Sequence, residues 1–197
     1  CQNLTEGRAK ASAQLAIDVS EALGKLHMPN ARFSPSLVAK NPEDWNDKGA
    51  EKIEFMVTTN AGSPMQPLVK IASGGEVSRL MLALKEVFYR TMPETTLIFD
   101  EVDTGVGGRV ADSMGAAMKE ISQRHQVMAI THLPQVASWG GTHIRITKKS
   151  EEDKTHTQLD VLTGKERVDE LARMLSGKDV TAEAEAAAKS MLRASGD

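Results

Sequence analysis

Two short apolar runs with a helical stripe between them constrain the fold of this chain most. The first run, residues 95–99, ends in the carboxylates of Asp100 and Glu101, and the second covers residues 126–130. Apolar residues between the runs recur at helical spacing from Val110 to Ile121. Strand, helix and strand in this order predict a β-α-β unit with two parallel strands. Unbroken apolar strands are typical of a parallel sheet, so we expect both strands to be buried on both faces.

Polar side chains follow both predicted strands at their carboxyl ends, where open α/β sheets bind their ligands. Asp100 is a candidate ligand of Mg²⁺, directly or through water, and Glu101 is a candidate for polarising an attacking water. A solvated acidic strand end is the alternative interpretation. His132 follows the second strand. A lone histidine is usually a surface or core residue, and this is our interpretation of the others: His27, His125, His143 and His156.

A glycine turn, Ser73-Gly74-Gly75, precedes a second amphipathic helix. We expect Ser73 to cap this helix, and the glycines to let backbone N–H groups approach an anion at the positive end of the helix dipole. An ordinary capped helix after a glycine turn explains the same residues. The predicted apolar stripe comprises Val77, Leu80, Met81, Leu84, Val87 and Phe88.

The order and spacing of these motifs resemble those of the ABC-type ATPases, and within them the SMC-like proteins of bacterial DNA repair. The resemblance is strongest in the amino-acid sequences of residues 72–80, 98–108 and 130–137, and it covers nearly the whole chain. It implies an α/β P-loop NTPase fold of ABC/SMC type. The phosphate-binding pattern GxxxxGK[ST], Walker A, is missing from the chain. The resemblance therefore implies the C-terminal lobe of an ATPase head.

The same resemblance implies an ATP site shared between two heads. ATP and Mg²⁺ are the implied substrate and cofactor, and the isolated chain is expected to be inactive. The resemblance implies that Ser73, Gly74 and Gly75 contact the nucleotide of the partner head, and that Asp103 makes a nucleotide contact in the loop that crosses the dimer interface. It also implies that Asp100 binds Mg²⁺, that Glu101 polarises the attacking water and that His132 contacts the γ-phosphate.

The implied partners are an N-terminal lobe that carries Walker A, a second head in a homodimer, and DNA through the complete protein. The implied work is ATP hydrolysis in double-strand break repair, in the cytoplasm and at the nucleoid. Residues 8–28 are predicted to form the end of a coiled-coil arm helix, which gives the domain bounds 1–28 and 29–197. Because the chain begins with Cys1 rather than Met, we expect a fragment or a processed product.

Composition narrows the alternatives. The net charge of −3 gives no basic stripe for direct DNA binding by this segment, and the single cysteine excludes an internal disulfide framework. The sequence contains no apolar run long enough for a membrane span. The open alternatives are another ABC- or SMC-type head, including a transporter subunit, and a non-catalytic module for head dimerisation.

The rest of the chain predicts β-rich structure followed by helices. Pro35 indicates that its strand, residues 32–38, lies at a sheet edge or contains a bulge. The further predictions are a half-buried strand at 53–57, a linker at 60–69, a hairpin of strands 142–147 and 155–162 joined by a charged loop at 148–154, and helices at 168–175 and 181–192.

Overall fold

The computed structural model describes residues 1–71, 74–100, 103, 105–151 and 154–196. Ser73, predicted to cap a helix, and Glu101, predicted to polarise water, lie outside the described residues. The chain forms two compact units, Cys1–Pro93 and Glu94–Asp197. None of the helices in the described ranges is long and apolar enough to cross a membrane.

The first unit begins with helix α1, Gln2–Lys25, which buries Val19, Ala22 and Leu23. The predicted bounds of 8–28 were wrong at both ends. The helix ends before Pro29 because His27 adopts a left-handed conformation with a φ of 59°.

Three antiparallel strands follow α1: β1 (Arg32–Ala39), β2 (Glu51–Thr58) and β3 (Gln66–Pro67). The order β1-β2-β3 puts β1 at an edge, which confirms the expectation from Pro35. The predicted linker at 60–69 was wrong in part, because Gln66 and Pro67 pair with β2. The alternation predicted for β2 is incomplete, since Ile53 is 45% exposed.

Helix α2, Gly74–Tyr89, completes the first unit. Leu80, Ala83 and Val87 lie on its buried face at spacings of three and four. Met81 was wrongly included in the predicted stripe, because it is 41% exposed. The same helix buries a carboxylate, Glu86, which the apolar pattern did not predict.

The second unit is built on the predicted β-α-β unit. Its elements are β4 (Thr96–Asp100), α3 (Gly108–Ser122) and β5 (Gln126–Ile130). The strands are parallel, with Thr96 opposite Gln126 and Asp100 opposite Ile130. Met114 and Met118 of α3 are buried, so these methionines fill the core as expected.

Burial of the two parallel strands differs from the prediction. Leu97 and Phe99 are buried, but Ile98 is 61% exposed, and Met128 and Ile130 of β5 are 49% and 53% exposed. The expectation of strands buried on both faces was therefore wrong for this chain. Helix α3 packs against β5, and no element of the described ranges covers the face that carries Ile98 and Met128.

The chain continues through α4 (Pro134–Ala137), β6 (His143–Glu151), β7 (Lys154–Leu162), α5 (Gly164–Ser176) and α6 (Ala182–Ala194). β6 and β7 form the predicted hairpin, but the loop predicted at 148–154 was wrong because the strands run on to Glu151 and from Lys154. Both C-terminal helices are confirmed. They pack on each other through Leu171, Ala172, Ala188 and Leu192.

Candidate functional site

The carboxyl edge of the β4–β5 sheet gathers three of the predicted site residues. Asp100 is the last residue of β4 and stands exposed opposite Ile130, the last residue of β5. His132 lies two residues further along the chain from Ile130. Asp103 approaches this histidine from the loop that follows β4. The structure therefore places Asp100 at the end of β4, His132 just beyond the end of β5, and Asp103 beside His132; their roles at a nucleotide stay predictions.

The carboxylate of Asp103 points inward. Its side chain is 2% exposed. Its Oδ2 atom accepts hydrogen bonds from the hydroxyl of Thr131 and from the backbone N–H of His132, the latter at 3.3 Å. The ring atom Nδ1 of His132 lies 3.6 Å from the same oxygen. Asp103 therefore joins the loop after β4 to the loop after β5.

Further hydrogen bonds lie at the C-terminal end of the loop at residues 131–133 and beyond it. The N–H of Leu133 donates to Thr131 Oγ1 at 3.0 Å, and α4 starts at the next residue. Beyond α4, the indole N–H of Trp139 donates to Asp112 of α3 at 2.9 Å. Neither Thr131 nor Trp139 was predicted from the sequence to have a role in the site. The available signal for Thr131 was a hydroxyl placed directly between an apolar strand and His132.

His132 differs from the other histidine of this region in exposure. Its side chain is 73% exposed, so the ring is accessible to a ligand. His125 is 7% exposed, and its Nδ1 accepts the N–H of Thr95 at 3.3 Å. This contact joins the segments before β4 and β5, which confirms the interpretation of His125 as a core residue.

Asp100 is placed where it could bind a metal ion together with the phosphates of a nucleotide. No group of three or more His, Cys, Asp or Glu side chains in the described ranges is arranged to hold a metal ion. Mg²⁺, however, is usually bound by one or two carboxylates together with substrate phosphates and water. An exposed carboxylate at a strand end fits that requirement, so Asp100 is the described residue that would hold Mg²⁺.

The glycine turn belongs to the first unit. Gly74 is the first residue of α2, and Glu76 lies in its first turn. The N-terminus of a helix of this length presents unpaired backbone N–H groups. The contact of Ser73, Gly74 and Gly75 with the nucleotide of a partner head stays a prediction.

A charged cluster fixes the β6–β7 hairpin to α5. Arg145 on β6 lies 3.0 Å from Asp160 and 3.7 Å from Glu170, and Arg173 lies 2.6 Å from Glu170. Burial lowers the pKa of His143, and the charge of Arg167 lowers it further. For Glu170, burial acts to raise the pKa, but the hydrogen bond and charge of Arg173 outweigh it and the pKa is lowered.

Comparison with known proteins shows which proteins the chain is similar to. No family model matches the chain. "DNA repair protein RecN" of Halalkalibacterium halodurans is 40% identical over 191 residues, which cover 96% of this chain and 34% of that protein. RecN of Bacillus subtilis is 36% identical over 204 residues, covering 97% of this chain and 35% of that protein. The chain is RecN-like. It spans about a third of the length of these curated relatives.

Solved structures give the fold of this RecN-like segment. The Smc head domain with a coiled coil and joint from Pyrococcus yayanosii matches 83% of this chain and 29% of its own, with a TM-score of 0.62 and 23% identity. An SMC ATPase described for "ATP-driven dimerization and DNA stimulated activation" matches 88% of this chain and 99% of its own, with a TM-score of 0.56 and 17% identity. The fold is that of an SMC-type head lobe, as the sequence predicted.

Proposed function

We propose that the protein containing this RecN-like chain hydrolyses ATP, and that the chain supplies one part of a composite ATP site. The observation that carries the proposal is the position of Asp100 and His132 at the adjoining carboxyl ends of two parallel strands. RecN relatives and the SMC head fold support it.

The proposed reaction is an in-line displacement at the γ-phosphorus of ATP. The oxygen of water forms a bond to phosphorus while the bond to the β,γ-bridging oxygen breaks, which yields ADP and phosphate. Glu101 accepts a proton from the attacking water, and His132 donates a hydrogen bond to a γ-phosphate oxygen. Bound Mg²⁺, held through Asp100, would neutralise phosphate charge.

An N-terminal lobe of the same ATPase head is the proposed source of the Walker A motif. The open apolar face of β4 and β5, with Ile98 and Met128, supports a protein partner, because monomeric proteins rarely leave such a face uncovered. The hairpin supports it too. One of its faces exposes four apolar side chains in register pairs: Ile144 with Val161, and Ile146 with Leu159.

A second head is the other proposed partner. In this proposal, the turn of Ser73, Gly74 and Gly75 completes the ATP site of the opposing head in a homodimer. Helix α1 would continue the coiled-coil arm at residues 1–28, with the head lobe at 29–197. The complete protein would act on DNA in double-strand break repair, in the cytoplasm and at the nucleoid.

The proposal is tested by measuring ATP hydrolysis with this chain alone and with the N-terminal part of the same protein added. We expect no hydrolysis by the chain alone and measurable hydrolysis by the mixture. Ser73→Arg in this chain should abolish the hydrolysis by the mixture. Hydrolysis by the isolated chain would refute a composite site. Inactivity of both samples would favour the non-catalytic dimerisation module.

The role of Glu101 has a separate test in the complete protein. Glu101→Gln keeps the shape of the side chain but cannot accept the proton, so the variant should bind ATP and accumulate as a head dimer. Size-exclusion chromatography with light scattering measures this dimer. Glu94→Gln, which changes an exposed carboxylate just before β4, is the matched control. Normal turnover of Glu101→Gln would remove this residue from the mechanism.

A further inference from the structure

Asp103 makes its hydrogen bonds with the loop that carries His132. Within the described part of the chain, both donors to its carboxylate come from residues 131 and 132. A buried carboxylate is costly unless donors replace its lost water. The burial of Asp103 therefore depends on this loop conformation, and the loop in turn is held by the carboxylate.

We infer that Asp103 is a positioning residue that acts through His132, rather than a residue that touches the nucleotide. This inference rests on the proposed function of the same site. The side chain of Asp103 is 2% exposed, whereas that of His132 is 73% exposed, so it is His132 that a nucleotide can reach. Asp103 sets the position from which His132 meets the γ-phosphate.

The same geometry selects one tautomer of the His132 ring. Nδ1 lies 3.6 Å from Asp103 Oδ2, which is longer than a hydrogen bond but within ion-pair range, so a carboxylate oxygen faces this ring nitrogen. An acceptor beside one ring nitrogen keeps the proton on that nitrogen. In the neutral Nδ1–H ring Nε2 is an acceptor, so His132 donates to a γ-phosphate oxygen through Nε2 when both ring nitrogens carry protons, with Nδ1–H directed at Asp103. Asp103 thus orients the donor atom as well as the backbone.

The first test uses this chain without nucleotide and reads the ring directly. ¹⁵N chemical shifts of His132 report which ring nitrogen carries the proton. We expect the Nδ1–H tautomer to dominate in the parent chain, and Asp103→Asn to shift the majority to Nε2–H. Asp169→Asn, on an exposed face of α5, is the control for loss of one carboxylate. Backbone amide spectra of each variant confirm that the fold is retained. An identical tautomer in the parent and Asp103→Asn would overturn the inference.

The second test uses steady-state ATP hydrolysis by the complete protein. Asp103→Asn should lower kcat by about 10²-fold, the scale of a misplaced catalytic group, with little change in the KM for ATP. Combined with His132→Ala, it should cost nothing beyond His132→Ala alone, because Asp103 acts through that ring. Thr131→Val, which removes one donor, should show the same pattern with a smaller loss.

The outcomes of the two tests separate the inference from the proposed function. A raised KM, or losses that multiply in the double variant, would mean that Asp103 contacts the nucleotide and would overturn the inference. A complete protein that does not hydrolyse ATP would refute the proposed function, and the ¹⁵N measurement would still decide whether Asp103 positions His132.

Discussion

The carboxylate of Glu86 on α2 lies 3.3 Å from the ammonium group of Lys25, the last residue of α1. It also lies 2.8 Å from the guanidinium of Arg90, the residue that directly follows α2. Only 1% of the Glu86 side chain is exposed. A buried carboxylate thus connects the helix that carries the glycine turn with the end of the N-terminal helix.

Removal of Arg90 should destabilise the chain because it leaves the buried carboxylate with fewer partners. We expect Arg90→Ala to lower the free energy of unfolding by about 1–3 kcal/mol, measured by urea denaturation. In a Glu86→Gln background the same substitution should cost less, since no buried charge remains to be paired. Equal costs in both backgrounds would show that Arg90 stabilises the chain independently of Glu86.

The control for this experiment is an exposed pair of the same kind. Lys189 and Glu185 on α6 lie 2.5 Å apart, four residues from each other, with half-exposed side chains. Lys189→Ala should leave the urea midpoint unchanged within error, because solvent screens exposed pairs.

Stability should depend on pH through His143. The pKa of its ring is lowered from the ordinary value of 6.5, first by burial and then by the charge of Arg167. Below pH 6.5 the unfolded chain therefore takes up a proton that the folded chain does not, and stability falls as the pH falls. The slope for one proton is at most about 1.4 kcal/mol per pH unit. Urea denaturation at a series of pH values measures it.

His143→Gln should flatten this slope between the folded and ordinary pKa values. Glu170, whose pKa is also lowered, contributes in a separate window: its stabilisation is lost only as the pH falls below its ordinary 4.5. His156→Gln, on an exposed position of β7, is the matched control. A slope just below pH 6.5 that survives in His143→Gln would assign it to another group.

The β-α-β unit was predictable because apolar periodicity and strand-end chemistry are local properties of the sequence. Burial of Ile98 was predicted wrongly for the same reason: an apolar strand residue indicates that something covers it, but not whether the covering element belongs to the same chain. The inward turn of Asp103 was not predictable either. It depends on Thr131, 28 residues away, and no pattern of spacing indicates that hydrogen bond.

Neighbouring residues of β4 should respond in opposite ways to substitution. Phe99 is 1% exposed, so Phe99→Ala should cost about 3–5 kcal/mol of unfolding free energy. Ile98 is 61% exposed, so Ile98→Lys should leave the urea midpoint almost unchanged while blocking association with the N-terminal part of the protein. Co-purification of the two parts measures association. Val180→Lys, at another exposed apolar residue, is the control. Association that survives Ile98→Lys would show that the partner does not cover this face.

Alanine at Gly115 should destabilise the chain, although alanine is the better helix former. Gly115 lies in α3, where a Cβ atom would stand 2.9 Å from Cγ of the Trp139 ring and closer still to Cδ1. The indole cannot retreat without loss of its 2.9 Å hydrogen bond to Asp112. We expect the cost of overpacking, about 1–3 kcal/mol of unfolding free energy, to exceed the gain in helix propensity.

The control is Gly7→Ala in α1, where a Cβ would meet nothing within 4 Å, and which should instead stabilise the chain by about 0.5–1 kcal/mol. Thermal or urea denaturation of the two variants should therefore shift in opposite directions. A Gly115→Ala variant as stable as Gly7→Ala would mean that Trp139 does not pack on α3.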